Sequence, residues 1–252
     1  MKLIWTYNSN VKFDTIVGEH TPQREIILIN YYIHSIKTAI SFGYYTIIYC
    51  DSNISKYFKN IADEVIIVNE FIDSLLWDSF KIKVLDERTD EFILIDGDVI
   101  LHNRLPEFVD DIMFDSYEIS AFKHKYKRTI SNLTEMGISE YIDIWVNKQL
   151  PIISCGILSI NNKKLKESYV HYWKIYNNFI NNNNTNLNID LATMIGAQYL
   201  LSILSETHSH KKLSQIVSGD NPYYKHYCGP LKYNNPVVST ETIISELKKQ
   251  LF

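Results

Sequence analysis

The sequence predicts an α/β fold, with a doubly wound, mostly parallel β-sheet flanked by helices in a single domain. In the first half of the chain, short apolar runs alternate with helical patterns, as they do in strand–helix–strand units. Residues 92–95 are apolar throughout, which is typical of a strand buried on both faces of a parallel sheet. The chain has 252 residues and 46% of them are hydrophobic, which is enough for one large folded core.

The elements of the first half follow each other in regular order. A strand over residues 3–7 precedes a helix over 23–41, which carries a stripe of isoleucines and stops at Gly43. The pattern then predicts a strand over 45–50, a short helix over 53–62, a strand over 64–68, a helix over 75–87 and the strand over 92–95. Asp51 and Asp96 each follow a strand, so both are predicted to face one crevice at the carboxyl ends of the strands.

The second half has a less regular pattern. It predicts strands over 117–122 and 152–160, helices over 140–148, 165–180 and 189–204, a basic loop over 123–128, an asparagine-rich loop over 181–184 and a last helix from about residue 239. The basic loop is expected to be a solvated face, with binding of acidic groups as the alternative. We find no internal repeat and no linker, which favours one domain.

Composition excludes several classes of function. The net charge of −4 and the pI of about 6.1 give no broad basic surface for nucleic acid. The three cysteines (Cys50, Cys155 and Cys228) are odd in number and lack the paired spacing of a metal site, as expected for reduced thiols in a cytoplasmic protein. No apolar run is long enough to span a membrane, and the first predicted strand leaves no room for a leader.

The segment Asp96, Gly97 and Asp98 is the strongest candidate for chemistry. The two carboxylates follow a buried strand and lie two residues apart, so on an extended chain they point to the same side. They would repel each other unless a positive group lay between them, and divalent cations bind well to carboxylate oxygens. The alternative interpretation is a tight turn, in which Asp and Gly are common.

A second candidate motif is His-x-x-Gly-x-x-Lys, formed by His226, Gly229 and Lys232. It is weak alone, because His226 could be a packed histidine and Lys232 a solvated lysine. In combination with the strand-end acidic pair the two motifs are more specific. His102 and His124 are rival ligands that the sequence leaves open.

Together, the two motifs resemble those of the GT-A glycosyltransferases, particularly the retaining kind typified by glycogenin and the bacterial lipopolysaccharide galactosyltransferases. The resemblance implies a GT-A-like fold, with a nucleotide-binding half over 1–101 and an acceptor- and sugar-binding half over 102–252. It also implies that Asp96, Asp98 and His226 bind one Mn²⁺ (or Mg²⁺) ion.

The resemblance implies roles for other residues too. Lys232 would contact the diphosphate of the sugar-nucleotide, and Gly229 would let the backbone approach it. Ser154 stands where the family has an asparagine that binds the donor sugar or acceptor, although a local bulge is the alternative. Asp190 belongs to the family's acidic segment at the sugar, where it would stabilise positive charge or grip hydroxyls, although Asp is also a common helix N-cap.

The nucleotide side of the implied site lies in the first half of the chain. Thr6 and Tyr7 would lie at the nucleotide base, and Lys81 or Lys83 would contact the donor. The implied activity is metal-dependent, retaining transfer of a sugar from a nucleotide-sugar, a UDP-sugar being favoured, to a glycan or protein acceptor. The chain also resembles, in composition and style but without a motif, glycosyltransferases of large DNA viruses, which would place it in host cytoplasm.

Three rival functions remain. A nucleotidyltransferase would share the sheet and the acidic metal site, but the chain lacks the glycine-rich loop expected after the first strand. A phosphatase of the haloacid dehalogenase type has a similar acidic motif, but here it comes late and Ile100 holds a position usually occupied by Thr or Val. A degenerate transferase that only binds carbohydrate would fit the loss of the family's asparagine at Ser154.

Overall fold

The computed structural model describes residues 1–9, 22–68, 75–107, 110–118, 123–147, 150–183, 187–213 and 222–227. In chain order the strands are β1 (Lys2–Tyr7), β2 (Tyr45–Cys50), β3 (Glu64–Ile67), β4 (Phe92–Ile95), β5 (Val99–Leu101), β6 (Ile112–Tyr117), β7 (Ile153–Ile160), β8 (His210–Lys212) and β9 (Tyr224–His226). The α-helices are α1 (Pro22–Ser41), α2 (Ser52–Ser55), α3 (Ser79–Glu87), α4 (Lys123–Glu135), α5 (Lys163–Asn183), α6 (Ile189–Met194) and α7 (Leu200–Ser205).

Seven of these strands form one mixed sheet in the order β3-β2-β1-β4-β7-β6-β8, which confirms the predicted α/β class. The first four are parallel to one another, β7 is antiparallel to both β4 and β6, and β8 is parallel to β6. Because the direction reverses on both sides of β7, β6 runs the same way as β4. The carboxyl ends of β1, β2, β4 and β6 therefore lie at one edge of the sheet, hereafter the carboxyl edge.

Helices cover both faces of the sheet, and β4 shows how its strands are held. Ile93 and Ile95 pack into the core beneath α1, whereas Phe92 and Leu94 pack into the core formed with α3 and α5. All four side chains are buried, as predicted for a strand covered on both sides. Burial of each contributes about 2 kcal/mol, so the strand that ends at the acidic motif is firmly anchored.

A second, two-stranded sheet joins the end of the described chain to the region after β4. Strand β9 is antiparallel to β5, with Val99 opposite His226. The pairing extends at both ends, because Tyr227 N donates to Asp98 O at 2.9 Å and His102 N donates to Tyr223 O at 2.7 Å. Among the described helices, none is long and apolar enough to cross a membrane.

One prediction about the second half is wrong, and another lies mostly outside the described residues. The predicted basic loop over 123–128 forms the beginning of helix α4, because Tyr126, Ile130 and Leu133 recur at helical spacing and are buried while the cations between them face outward. Of the strand predicted over 117–122, Tyr117 is the last residue of β6, residue 118 is not in a strand, and residues 119–122 lie outside the described part.

Other elements differ from prediction in extent or type. The predicted helix over 140–148 is replaced by a single 3-10 turn (Ile138–Glu140) followed by irregular chain. Gly137, at φ +86°, lies between the end of α4 and this 3-10 turn. Trp145 is held by a hydrogen bond from its Nε1 to the Thr134 hydroxyl, and not by helical neighbours. The helix predicted over 189–204 is interrupted by a π-helical turn at Ile195–Tyr199. The helix expected from residue 239 lies outside the described residues.

Candidate metal centre

The two acidic residues and the imidazole predicted as metal ligands lie together at the carboxyl edge. One oxygen from each of Asp96 and Asp98 and one nitrogen of His226 all lie within 4.8 Å of one another. His226 Nε2 is 3.4 Å from Asp98 Oδ1. Two carboxylate oxygens and an imidazole nitrogen suit a divalent cation such as Mn²⁺, so the donor set fits the predicted ion. Among the described residues this is the only such cluster, and it includes neither His102 nor His124.

The acidic motif keeps its shape through close packing at Gly97. A Cβ atom at this position would lie 2.1 Å from Cδ2 of Tyr32, so the ring occupies the space that a side chain would need. The Tyr32 hydroxyl donates to the Thr6 carbonyl at 2.9 Å, and the ring packs edge-on against Tyr7 at 4.8 Å between centroids. Tyr32 therefore links the predicted nucleotide-side residues Thr6 and Tyr7 to the acidic turn.

Lys81 places a positive charge beside the acidic pair. Its Nζ is 2.5 Å from Asp96 Oδ1 and also donates to the carbonyl of Cys155 at 3.3 Å. Burial alone would lower the pKa of Lys81, but the Asp96 carboxylate raises it above its ordinary value, so the ammonium stays charged. The alternative residue, Lys83, points elsewhere and pairs with Glu87 at 2.5 Å. Of the two lysines that the sequence offered, the structure thus brings Lys81 to the site.

His226 is held from behind by a carboxylate that the sequence analysis missed. Asp115, fully buried in β6, accepts a hydrogen bond from His226 Nδ1 at 2.6 Å and another from the Ser154 hydroxyl at 3.2 Å. Its second oxygen accepts from the hydroxyl of Tyr224. Burial alone would lower the pKa of His226, but Asp98 and then Asp115 raise it well above its ordinary value.

An irregular stretch of β7 makes room for this arrangement. The register between β6 and β7 shifts around Asp115, so residues 155–157 of β7 lie opposite that one residue, and the bulge alternative considered from the sequence applies here. A Cβ atom on Gly156 would lie 2.4 Å from Cε1 of His226, so only glycine admits the ring. The Gly156 carbonyl also accepts from Asp96 N at 2.8 Å, which ties β7 directly to the acidic motif.

The remaining predicted site residues have diverse positions. Ser154 is buried, and its hydroxyl is committed to Asp115. Asp190 is buried in the first turn of α6, and the N-cap is Asn188, whose side chain accepts from Leu191 N at 2.9 Å. Asp51 is at the carboxyl edge, but its carboxylate accepts from Ser9 N at 2.7 Å and from Asn53 N at 2.9 Å, so it caps α2. Gly229 and Lys232 lie outside the described residues.

A second acidic residue that the sequence analysis did not single out follows β6 at the carboxyl edge. Burial raises the pKa of Glu118 to about 7, and Gln198 Nε2 from the π-helical turn donates to its Oε1 at 3.1 Å.

The sequence signal that marks Asp115 is a lone carboxylate inside the apolar run of β6, because a buried charge requires partners. No such signal marks Glu118, which follows the strand as many surface acids do.

No protein-family model matches the sequence, and a comparison with curated proteins finds no match. Several solved structures are similar. An active-site mutant of LgtC aligns with a TM-score of 0.44 and 13% identity, over 78% of this chain and 69% of that one. Mouse xyloside xylosyltransferase 1 aligns with a TM-score of 0.44 and 8% identity, over 85% of both chains. The glycosyltransferase GlyE of Streptococcus pneumoniae TIGR4 aligns with a TM-score of 0.45 and 12% identity, over 99% of this chain and 63% of that one.

Proposed function

We propose that the chain is a metal-dependent glycosyltransferase that transfers a sugar from a nucleotide-sugar, with a UDP-sugar as donor, to a glycan or protein acceptor with retention of configuration. The observation that supports this most directly is the meeting of Asp96, Asp98 and His226 at the carboxyl edge of the sheet. Ligands of open α/β sheets bind in a crevice at this edge. Lys81, charged and almost buried, adds a fourth group that a diphosphate would require nearby.

The proposed reaction needs a leaving group whose negative charge is neutralised. A divalent cation, when bound, acts as a Lewis acid on the diphosphate of the donor. Asp96, Asp98 and His226 would hold that ion, while Lys81 holds one oxygen of Asp96 and so orients its carboxylate. We further propose that Lys232 binds the same phosphates as a point charge and that Gly229 lets the backbone come close.

At the sugar, the proposal assigns Asp190 to the stabilisation of positive charge that develops on the transferred ring, or to its hydroxyl groups. Asp190 is buried in the first turn of α6, where Asn188 is the N-cap. Thr6 and Tyr7 would face the nucleotide base at the end of β1. The acceptor would attack from the face that the diphosphate leaves, which requires no separate strong base.

The decisive experiment is a panel of nucleotide-sugars with Mn²⁺, measuring release of the nucleoside diphosphate. We expect turnover with at least one UDP-sugar, and we expect Asp98→Ala to abolish it while the far-ultraviolet circular dichroism spectrum is unchanged. Lys83→Met is the matched control, because Lys83 pairs with Glu87 away from the site, and this variant should retain full activity. Undiminished turnover in Asp98→Ala would remove the proposed metal ligand.

The same protein samples separate the rival functions. Release of inorganic phosphate from p-nitrophenyl phosphate would indicate a phosphatase, and release of pyrophosphate from a nucleoside triphosphate would indicate a nucleotidyltransferase. Sugar binding without turnover would indicate a carbohydrate-binding module. The cytoplasmic location stays a prediction from cysteine usage, with Cys50 and Cys155 both buried as free thiols.

A further inference from the structure

We propose that Asp115 is a positioning residue that fixes the ring of His226, so that Nδ1 is occupied by the protein and Nε2 is presented to the cation. The inference deepens the proposed function and rests on the metal centre proposed above. It assigns a task to three buried polar side chains, namely Asp115, Ser154 and Tyr224.

The Asp115 carboxylate has little freedom to turn away from the ring. Its side chain is completely buried, and both of its oxygens accept hydrogen bonds. Oδ2 accepts from His226 Nδ1 at 2.6 Å and from Ser154 Oγ at 3.2 Å, and Oδ1 accepts from the Tyr224 hydroxyl. Since a buried carboxylate is stable only when its oxygens are satisfied, the two hydroxyl groups hold it in the orientation that the imidazole needs.

The hydrogen bond to Nδ1 decides which nitrogen of His226 can bind a metal. An imidazole that donates its Nδ1–H to a carboxylate has Nε2 left for coordination. In this protein Nε2 is the nitrogen on the side of Asp98, 3.4 Å from Oδ1. The Cε1–Nδ1 edge of the ring lies against Gly156, where the missing Cβ leaves the space that the ring fills. A turn of the ring would break the bond to Asp115 and lose this fit.

The geometry argues against one other role for Asp115, and a measurement can separate a second. As a direct ligand it would have to join the cluster of Asp96, Asp98 and His226, but its oxygen contacts the opposite nitrogen of the ring. As a purely structural group it would stabilise the fold without affecting metal affinity. The two remaining explanations, positioning and structure, therefore differ in a quantity that can be measured.

The test is a titration with Mn²⁺ alone, followed by the electron paramagnetic resonance signal of the free ion, on wild type, Asp115→Asn, His226→Ala and the double variant. We expect Asp115→Asn to raise the dissociation constant about 10- to 100-fold. In the His226→Ala background the same change should have less than about a twofold effect, because Asp115 acts through the ring. Equal affinity in wild type and Asp115→Asn, or additive losses in the double variant, would overturn the inference.

Ser116→Ala is the control from the neighbouring position. The Ser116 hydroxyl is buried and has no hydrogen-bond partner among the described residues, so its removal should leave Mn²⁺ affinity unchanged.

Proton nuclear magnetic resonance adds a readout that needs no metal. The proton between His226 Nδ1 and Asp115 should give a low-field signal in wild type that Asp115→Asn lacks. Absence of that signal in wild type would also count against the inference.

The titration separates this inference from the proposed function. If wild type does not bind Mn²⁺, the proposed metal centre is wrong and the role of Asp115 is wrong with it. If wild type binds Mn²⁺ and Asp115→Asn binds it equally well, only the positioning role is wrong.

Discussion

Lys81 is a nearly buried cation whose ammonium contacts the carboxylate of Asp96, a candidate metal ligand. The effect of its removal on stability can be measured without a metal ion, so the measurement reports the electrostatic contribution of this pair alone. Lys81→Met leaves Asp96 with one charge partner fewer, and we expect the unfolding free energy to fall by about 1–3 kcal/mol. The loss should be below the range for fully buried pairs, because the Asp96 side chain is 25% exposed. Urea unfolding measures this value without metal.

Lys83→Met provides the comparison on the same helix. The pair of Lys83 with Glu87 is solvent-accessible, and such pairs contribute little, so the change should stay within about 0.5 kcal/mol. Equal losses of unfolding free energy in the two variants would show that the contact between Lys81 and Asp96 stabilises the fold no more than the exposed pair does.

The raised pKa of Asp78 predicts that the unfolding free energy depends on pH. The residue is buried behind Lys81 and accepts a hydrogen bond from Trp173 Nε1 at 2.9 Å, and burial raises its pKa from the ordinary 3.8 to about 7. Between these values the folded protein holds a proton that the unfolded chain has released. The unfolding free energy should therefore decrease as the pH rises from about 4 to about 7 and show no further loss from this group above that.

Asp78→Asn removes this titration while keeping an acceptor for Trp173. Relative to wild type, the variant should gain stability at pH 8 by at most about 4 kcal/mol, and the gain should shrink towards pH 4. Urea unfolding at several pH values measures it. A difference between variant and wild type that does not change with pH would contradict the raised pKa of Asp78.

At the scale of elements, the β5–β9 pairing places His226, the third of the proposed metal ligands, beside the acidic pair. His226 is carried on a three-residue strand whose partner, β5, starts directly after Asp98. Lys225, the middle residue of β9, faces outward and is opposite Ile100. Lys225→Pro removes the backbone N–H that the ladder uses, and we expect Mn²⁺ affinity to fall at least about tenfold because His226 shifts. Lys225→Ala keeps that N–H and should bind Mn²⁺ as wild type does.

The strand-end acids were predictable from sequence because their signal is local. An apolar run followed by two carboxylates shows both the strand and the position of the site, and the structure places Asp96 as expected. Asp115 was not predictable in the same way, because its partner His226 is 111 residues away along the chain. The composition of residues 123–128 favours a loop because the cations outnumber the apolar residues, although Tyr126 and Ile130 have the helical spacing of α4.

At the scale of the whole molecule, the predicted nucleotide half and sugar half share one sheet. Strand β4 belongs to residues 1–101 and β7 to residues 102–252, and the two are neighbours with Asp96 N bonded to Gly156 O. Separating the two halves would expose the edge of β4 that pairs with β7, together with the side chains of β4 that pack against the second half. We therefore expect one cooperative transition in differential scanning calorimetry and no native-like fold for residues 1–101 alone. Two separate transitions would show that the halves are independent domains.

The order in which the parts occur along the chain has a practical consequence. Every strand of the large sheet is complete by Lys212, whereas the imidazole comes only afterwards, on β9. A protease that nicks the backbone between residues 213 and 222 would leave those seven strands on one fragment and the histidine on the other. If the short fragment then dissociates, the preparation would keep its helices and sheet by spectroscopy yet lose the candidate metal ligand His226. For the proposed metal centre, Mn²⁺ binding would therefore be a sharper check of chain integrity than any measurement of secondary structure.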